Sequence, residues 1–521
     1  MIDLRAKQET QVELACRTTH GRTIPDVPLM HVKSGNFTWV ALGALAIVSA
    51  ITCFFVFDDR PAIGFAIIIM LGPVAVAAHR FRNQGLLDPL GLYCSAFAAY
   101  NGIVLLRLAS MEDPTATVYP WTFNQEVYGE AGFLISIAAI TIYVTATLAR
   151  HVVPSPPRIS SGKDESAAGW FPAGITMYCA GIAMYFLQYA QIGGYLAGIK
   201  AGRGNRFAEF QTAGLSWPYG AFVFPGLAAI WYASFYSESK AKKIVGWVAL
   251  LLWCALVIPQ GDRFLPVQAV ITVTAVWTIC RHKRLKVTLK LVTLLAVAYV
   301  ALAAFGYLRK VIAPYVSGEM TEAETQYVVE NESLFDTLKP ERSELAGPFL
   351  SILEITSVPS QYLLEGNSYA DASMSILPKA LYPGTKPSYL SERFAASVHR
   401  GKAAVSGWGF NPVAEAYLNF GVMGIAPIFV LWTLAFYGLS LLREYRPVGA
   451  LIYSVLVTET VDANRMDFRN VYSIAIYCTA GVLVTYVMAM SFSNLGARLS
   501  PLSGLTWRAH MPGSVRQAGG L

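Results

Sequence analysis

Arginines recur along this chain in one local setting. Arg203 and Arg206 lie in Gly202-Arg-Gly-Asn-Arg-Phe207 and Arg263 in Gly261-Asp-Arg-Phe264, so that a Gly-(Asn/Asp)-Arg-Phe pattern occurs twice. Arg309 directly follows an apolar run, and Arg465 and Arg469 share a short polar stretch between two others. A guanidinium is planar, permanently charged and forked, and it can bind two phosphate oxygens at once. A set of them where helices meet water suits the pyrophosphate of an anionic substrate. Each also has a structural explanation, since it can snorkel to a membrane interface or pair with Asp262, Asp462 or Asp467.

A second set of residues could move protons: Glu344, Glu354 and Glu365, His399 beside Arg400, and Glu415. Either a carboxylate or an imidazole can take the proton of an attacking hydroxyl, the step that a glycosyl transfer requires. Glu415, in Pro412-Val-Ala-Glu-Ala-Tyr-Leu-Asn-Phe-Gly421, adjoins an apolar run, where an uncompensated charge is costly. It is therefore functional or paired with an arginine. An exposed loop histidine such as His399 usually has no special role. Lys379, Lys386 and Arg393 are further cations able to hold a pyrophosphate or glycan.

No Walker A loop, GxGxxG, HExxH or GxSxG is present. The seven cysteines form no CxxC pair, and none falls in the long polar stretch after residue 309. The expectation is a protein with no cofactor, no metal and no nucleic-acid partner.

Composition defines the elements that must position these groups. Charged residues make up 14% and hydrophobic ones 55%, with a mean hydropathy of +0.45, whereas a soluble domain carries about a quarter charged residues. Lipid is then the main solvent, and runs of roughly 20 apolar residues are the expected unit. They fall at 37–57, 61–79, 86–106, 131–149, 170–197, 215–236, 244–260, 264–280, 287–308, 413–442, 448–461 and 471–492. This predicts an all-α polytopic membrane protein of about twelve helices, with 448–461 barely long enough to cross. With the N-terminus in the cytoplasm, the basic groups around Arg80/Arg82, Arg150/Arg158/Lys163, Lys240/Lys242/Lys243, Arg281 to Lys286 and Arg443/Arg446 share its side. The loop at 108–130 has acidic residues but no Lys or Arg, and falls opposite. Both termini are expected inside.

The resulting layout is a cytoplasmic tail (1–36), spans one to nine (37–308), a large external loop (309–412), spans ten to twelve (413–492) and a cytoplasmic tail (493–521). A structureless loop of that length is improbable. Its pattern predicts helices, with Leu345, Phe349, Ile352 and Leu353 on one face and Leu390, Phe394 and Val398 on another. Gly401-Lys-Ala-Ala-Val-Ser-Gly-Trp-Gly409, rich in small residues, is a candidate lid.

From this loop into the tenth span, over Gly366–Gly424, the order and spacing of several motifs resemble the Wzy-type O-antigen and oligosaccharide repeat-unit polymerases. They are Gly366-Asn-Ser-Tyr369, Ile376-Leu-Pro-Lys-Ala-Leu-Tyr-Pro383, Lys386-Pro387, Glu392-Arg-Phe394 and Gly407-Trp-Gly-Phe-Asn-Pro-Val-Ala-Glu-Ala-Tyr-Leu-Asn-Phe-Gly-Val-Met-Gly424. Asp88-Pro-Leu-Gly-Leu-Tyr93 and the Gly-Asp-Arg-Phe at 261–264 are similar to lesser features of that group. The layout likewise resembles GT-C-type membrane glycosyltransferases.

The resemblance implies transfer of a growing glycan from undecaprenyl pyrophosphate onto the newest lipid-linked repeat unit, at the outer face of a bacterial cytoplasmic membrane. It also implies a chain-length regulator and a flippase as partner proteins. The residue sets then take roles as expectations. Glu415, His399, Arg263 and Arg309 are the candidate catalytic groups, and Arg203, Arg206, Lys379, Lys386, Arg393, Arg465 and Arg469 the candidate binders of pyrophosphate and glycan. An O-antigen ligase or another polyprenyl-linked glycosyltransferase would use the same residue types. A twelve-span transporter of lipid-linked sugars is the alternative from another class, though no six-plus-six division of the chain supports it.

Overall fold

The structure, a computed structural model, describes residues 61–110, 125–152, 167–200, 218–237, 239–260, 264–281, 283–286, 346–356, 363–376, 389–398, 409–445 and 447–503, with isolated residues between 288 and 326. All regular structure among the described residues is helical. In chain order the helices are α1 (Pro61–Gln84), α2 (Pro89–Ser110), α3 (Gln125–Val152), α4 (Ala167–Ala190), α5 (Tyr195–Lys200), α6 (Gly220–Tyr236), α7 (Lys240–Val257) and α8 (Phe264–Cys280). They continue as α9 (Ala346–Thr356), α10 (Asn367–Met374), α11 (Leu390–Val398), α12 (Pro412–Phe420), α13 (Val422–Leu442), α14 (Val448–Leu456), α15 (Glu459–Asp462) and α16 (Phe468–Ser503).

Six of these stretches are long and apolar enough to cross a membrane: α1, α2, α3, α13, residues Gly169–Ala190 of α4 and residues Phe468–Leu495 of α16. With so many apolar helices the chain is an all-α membrane protein. Large side chains such as Leu148, Leu251, Met423, Leu431 and Val487 are exposed on its surface, which water would penalise and lipid does not. The runs expected at 37–57 and 287–308 fall wholly or mostly outside the described residues, as do both terminal tails.

Two expected spans have a different form. The run at 413–442 is two helices, because Gly421 sits at φ 64, ψ −160 between α12 and α13. That region of backbone space is essentially restricted to glycine. The run at 448–461 holds a nine-residue helix, α14, followed by the polar turn α15. At about 1.5 Å per residue, α14 is less than half the length needed to cross.

Packing divides the apolar interior into two main clusters. One joins α1, α2, α3 and α13 with α9, α11 and α12 through Ile69, Phe97, Ile135, Phe349, Leu353, Phe394, Val413 and Phe429. The other joins α4, α6, α7, α8 and α14 around Trp170, Trp231, Tyr232 and Trp253. Helix α16 contributes Val471 to the first and Cys478, Val482 and Ala489 to the second. Helices α4 and α6 approach so closely that a Cβ on Gly226 would meet the Tyr178 backbone nitrogen at 2.6 Å. This is the small-residue contact expected where helices pack without a hydrophobic driving force.

The connection from α1 to α2 is fixed by charge. Asp88 caps α2 by accepting the Gly91 N–H at 2.9 Å, and Pro89 occupies the first helical position. Its two oxygens also accept from Arg80 Nε at 2.8 Å and Nη2 at 2.7 Å, in a buried bidentate pair. Arg80, which the sequence suggests as basic punctuation at a span's end, is therefore 7% exposed and committed to Asp88.

Candidate active site

Helix α12 carries Glu415 and is positioned at its start by a chain of amides. Asn411 is the N-cap, its Oδ1 accepting the Val413 N–H at 2.9 Å, and Pro412 follows it. The Asn411 backbone N–H donates to Ser351 Oγ of α9, and its side-chain amide donates to Asn101 Oδ1 of α2 at 2.7 Å. Asn101 lies in a π-helical turn, Ala98–Ile103. Such turns are rare and concentrate at functional sites.

Just before α12, Gly409 at φ 73 lies against the Arg465 carbonyl so closely that no side chain would fit. The next residue, Phe410, donates its N–H to that carbonyl at 2.8 Å. The stretch from Arg465 to Arg469 is thus fastened to the start of α12.

The chain from Leu364 to Tyr369 is fastened to the far end of α12. Leu364 N–H donates to the Leu418 carbonyl at 2.8 Å, and the Tyr369 and Phe420 rings stack at 5.9 Å. Ser368 Oγ lies 2.8 Å from Glu415 Oε1. Glu415 Oε2 accepts the Phe468 N–H at 2.6 Å. Gly366–Tyr369 and the described part of the second stretch, Gly409–Gly424, both singled out in the sequence, therefore meet at one carboxyl group.

A small cleft of about 40 Å³ opens there, lined by Leu364, Asn367, Ser368, Asp371, Leu390, Arg393, Glu415, Asp467 and Arg469. Glu415 is 1% exposed. Burial, and next the negative charge of Asp467, push its pKa up to about 8, against the opposing effect of the Phe468 N–H and the Ser368 hydroxyl. Asp467, also 1% exposed, accepts from Ser391 N–H at 3.2 Å, Asn470 N–H at 3.1 Å and Asn470 Nδ2 at 2.8 Å. Burial raises its pKa, and these donors oppose the rise. The Arg469 guanidinium lies over the Tyr389 ring at 4.2 Å.

Chemically, the cleft brings together a carboxyl group whose pKa burial pushes up to about 8, a second buried carboxyl and two guanidinium groups. Such a set can exchange a proton with a hydroxyl while holding an anion beside it.

Of the residues expected from sequence, Glu415, Arg393 and Arg469 converge on this cleft. Arg465 does not line it: its Nε donates to Asp462 Oδ1 at 2.5 Å and its guanidinium lies 5.3 Å from the Phe264 ring centre. Arg203, Arg206, Arg263, Arg309, Lys379, Lys386 and His399 lie outside the described residues, as do the candidate lid before Gly409 and Glu344. Among the described residues no group of His, Cys, Asp and Glu could hold a metal ion.

Sequence reasoning did not select Ser368, Asp371, Asn419 or, except as an arginine's partner, Asp467. A signal for two of them was present. Ser368 lies inside a family-like motif, and Asn419 is four residues after Glu415, on the same helical face.

Fold and site together define an all-α membrane protein with a buried acidic and arginine-containing cleft formed by short helices and the start of the long apolar helix α16. No family model, curated protein or solved structure matches the chain.

Proposed function

We propose that this protein is a membrane glycosyltransferase that polymerises undecaprenyl-pyrophosphate-linked oligosaccharide repeat units at the outer face of a bacterial cytoplasmic membrane. The observation that carries the reading is the meeting of the two polymerase-like motifs at Glu415, in a cleft that also holds Arg393 and Arg469. In this reading Glu415 takes the proton of the acceptor hydroxyl. The freed oxygen forms a bond to the anomeric carbon of the donor glycan as the bond from that carbon to pyrophosphate breaks. The pyrophosphate departs with the electron pair, stabilised by arginine, and the proton passes from Glu415 to solvent or to the leaving group. Arg203, Arg206, Arg263 and Arg309, with Lys379 and Lys386, extend the anion-binding set, and His399 is a further acid–base group. No nucleotide sugar is consumed.

The test uses purified protein in detergent or nanodiscs with a defined undecaprenyl-pyrophosphate repeat unit. A ladder of lengthened products is expected. Glu415→Gln should reduce it at least a hundredfold, the usual scale of a general base. Arg393→Lys or Arg469→Lys should each reduce it at least tenfold, because lysine lacks the planar fork. Transfer to a different acceptor, or passage of the lipid-linked unit across the bilayer without lengthening, would overturn the assignment.

A further inference from the structure

The hydrogen bonds around Glu415 have a direction that can be derived without seeing a hydrogen atom. The Ser368 backbone N–H can only donate, and it points at one end of the Asn419 side chain at 3.3 Å, so that end is the oxygen. The Glu415 backbone carbonyl can only accept, and the other end of Asn419 lies 2.8 Å from it, so that end is the NH2. Two independent contacts therefore give one amide orientation. The NH2 also lies 2.7 Å from Ser368 Oγ, which must accept there. A hydroxyl has a single hydrogen, and towards the ionised Glu415, which can only accept, that hydrogen goes to Oε1 at 2.8 Å.

We propose that Ser368 and Asn419 are positioning residues for Glu415: Asn419 orients the Ser368 hydroxyl so that its one hydrogen is committed to Glu415 Oε1. With the Phe468 N–H on Oε2, each oxygen has one fixed donor and keeps a lone pair for another group. The carboxyl group is held in one rotamer at the cleft by two different elements, α10 and the start of α16. The consequence for catalysis rests on the polymerase reading above; the hydrogen-bond direction does not.

A donor of this kind favours the charged form of its acceptor. The other titratable or charged groups at the site are Asp371 and Tyr369 of α10, Arg393 of α11, and Asp467 and Arg469 at the start of α16. None of these is altered by a change at Ser368. Removing the Ser368 hydroxyl should raise the pH at which Glu415 ionises by about one to two pH units, the worth of a hydrogen bond to a charged group.

The experiment reads that ionisation first without substrate. In each background, thermal unfolding of the protein with Glu415 and with Glu415→Gln is compared from pH 5 to pH 10; the difference widens with pH and then levels off, and the midpoint of the Glu415 titration is the pH at which its slope has fallen to half. Ser368→Ala should move the midpoint up by about one to two pH units, and Asn419→Leu by less in the same direction. Ser368→Thr, which keeps the hydroxyl, should restore it. Ser368→Cys, similar in size but a weaker donor, should move the midpoint as Ala does and serves if the alanine variant does not fold.

The second reading is the pH profile of ladder formation. Its rising limb should move with the midpoint. At pH 7, every pH unit by which the limb moves up lowers the ionised fraction and kcat about tenfold, with KM little changed. A midpoint that stays in place in both Ser368→Ala and Ser368→Cys overturns the positioning role. A midpoint that moves while no variant, wild type included, forms a ladder at any pH keeps the positioning role and overturns the polymerase reading.

Discussion

The side-chain amide of Asn411 donates to the side-chain oxygen of Asn101 at 2.7 Å, joining residues 310 positions apart in the chain. Asn101 in turn donates to the Phe97 carbonyl at 3.0 Å, within the π-helical turn of α2. Both asparagines are fully buried. One amide pair thus ties a long apolar helix to the N-cap of the short helix that carries Glu415.

This pair should behave as a buried polar contact in which each partner is costly to remove alone. Asn101→Ala leaves the Asn411 amide without its acceptor and should destabilise the protein by about 1–3 kcal/mol. Asn411→Ala should cost more, because the cap of α12 is lost as well, adding about 1 kcal/mol. Thermal unfolding in a fixed detergent measures both. Equal effects would mean that the cap contributes nothing.

Arg80 and Asp88 form the second buried device. Removing Asp88 strands a guanidinium that is 7% exposed and also opens the cap of α2, so Asp88→Ala should cost about 3–5 kcal/mol. A double variant, Arg80→Met with Asp88→Leu, should recover much of that loss, since no buried charge is left. Expression and unfolding temperature of the three forms provide the measurement. A double variant no better than Asp88→Ala would assign the cost to the cap alone.

The long helices were readable because length and apolarity are local properties: the runs at 61–79 and 131–149 correspond to α1 and α3. The faces of α9 and α11 were readable for a similar reason. Phe349, Ile352, Leu353, Leu390 and Phe394 recur at helical spacing, and all five are buried. The break at Gly421 was not readable from hydropathy, which continues across it; what interrupts the helix is one backbone conformation.

Arg80 illustrates a different loss. A sequence marks it as a cation at a span's end, while its partner Asp88 comes within reach only through the turn between two helices. Asp467 is similar, since its proximity to Arg465 and Arg469 suggests an ion pair. Its donors include Ser391, which arrives from a distant segment. Of the site, Glu415 was legible from its residue type beside an apolar run. The Ser368–Asn419 network was not, because hydrogen-bond direction is a property of assembled geometry.

Gly421 should be intolerant of any side chain. At φ 64, ψ −160 an alanine adds strain of about 1–3 kcal/mol, and it would favour continuing α12 into α13 as one rod. That would move Glu415 relative to Asp467 and Ser368. Gly421→Ala should therefore lose ladder formation out of proportion to its loss of unfolding temperature. A variant with both properties unchanged would show that the break has no bearing on the site.

Glu415 gives the protein a specific dependence on pH. Its ordinary value is 4.5 and its folded value about 8, so between them the folded state keeps a proton that the unfolded chain has released. The stability this proton provides is complete below about 4.5, diminishes as pH rises, and is lost once pH passes 8. Glu415→Gln has the shape of the protonated acid and no charge to bury. Relative to that variant the wild type should lose a few kcal/mol of stability between about pH 4.5 and pH 8 and then stay level. Paired unfolding scans in one detergent from pH 4.5 to pH 9 measure the difference, in which other titrating groups largely cancel. Parallel curves across that range would mean that Glu415 ionises as an ordinary carboxylate, and the base near neutral pH would have to be sought elsewhere. If the gap opens as described, the wild type keeps an ionisable carboxyl at a cost in stability, the pattern of a site that trades stability for activity.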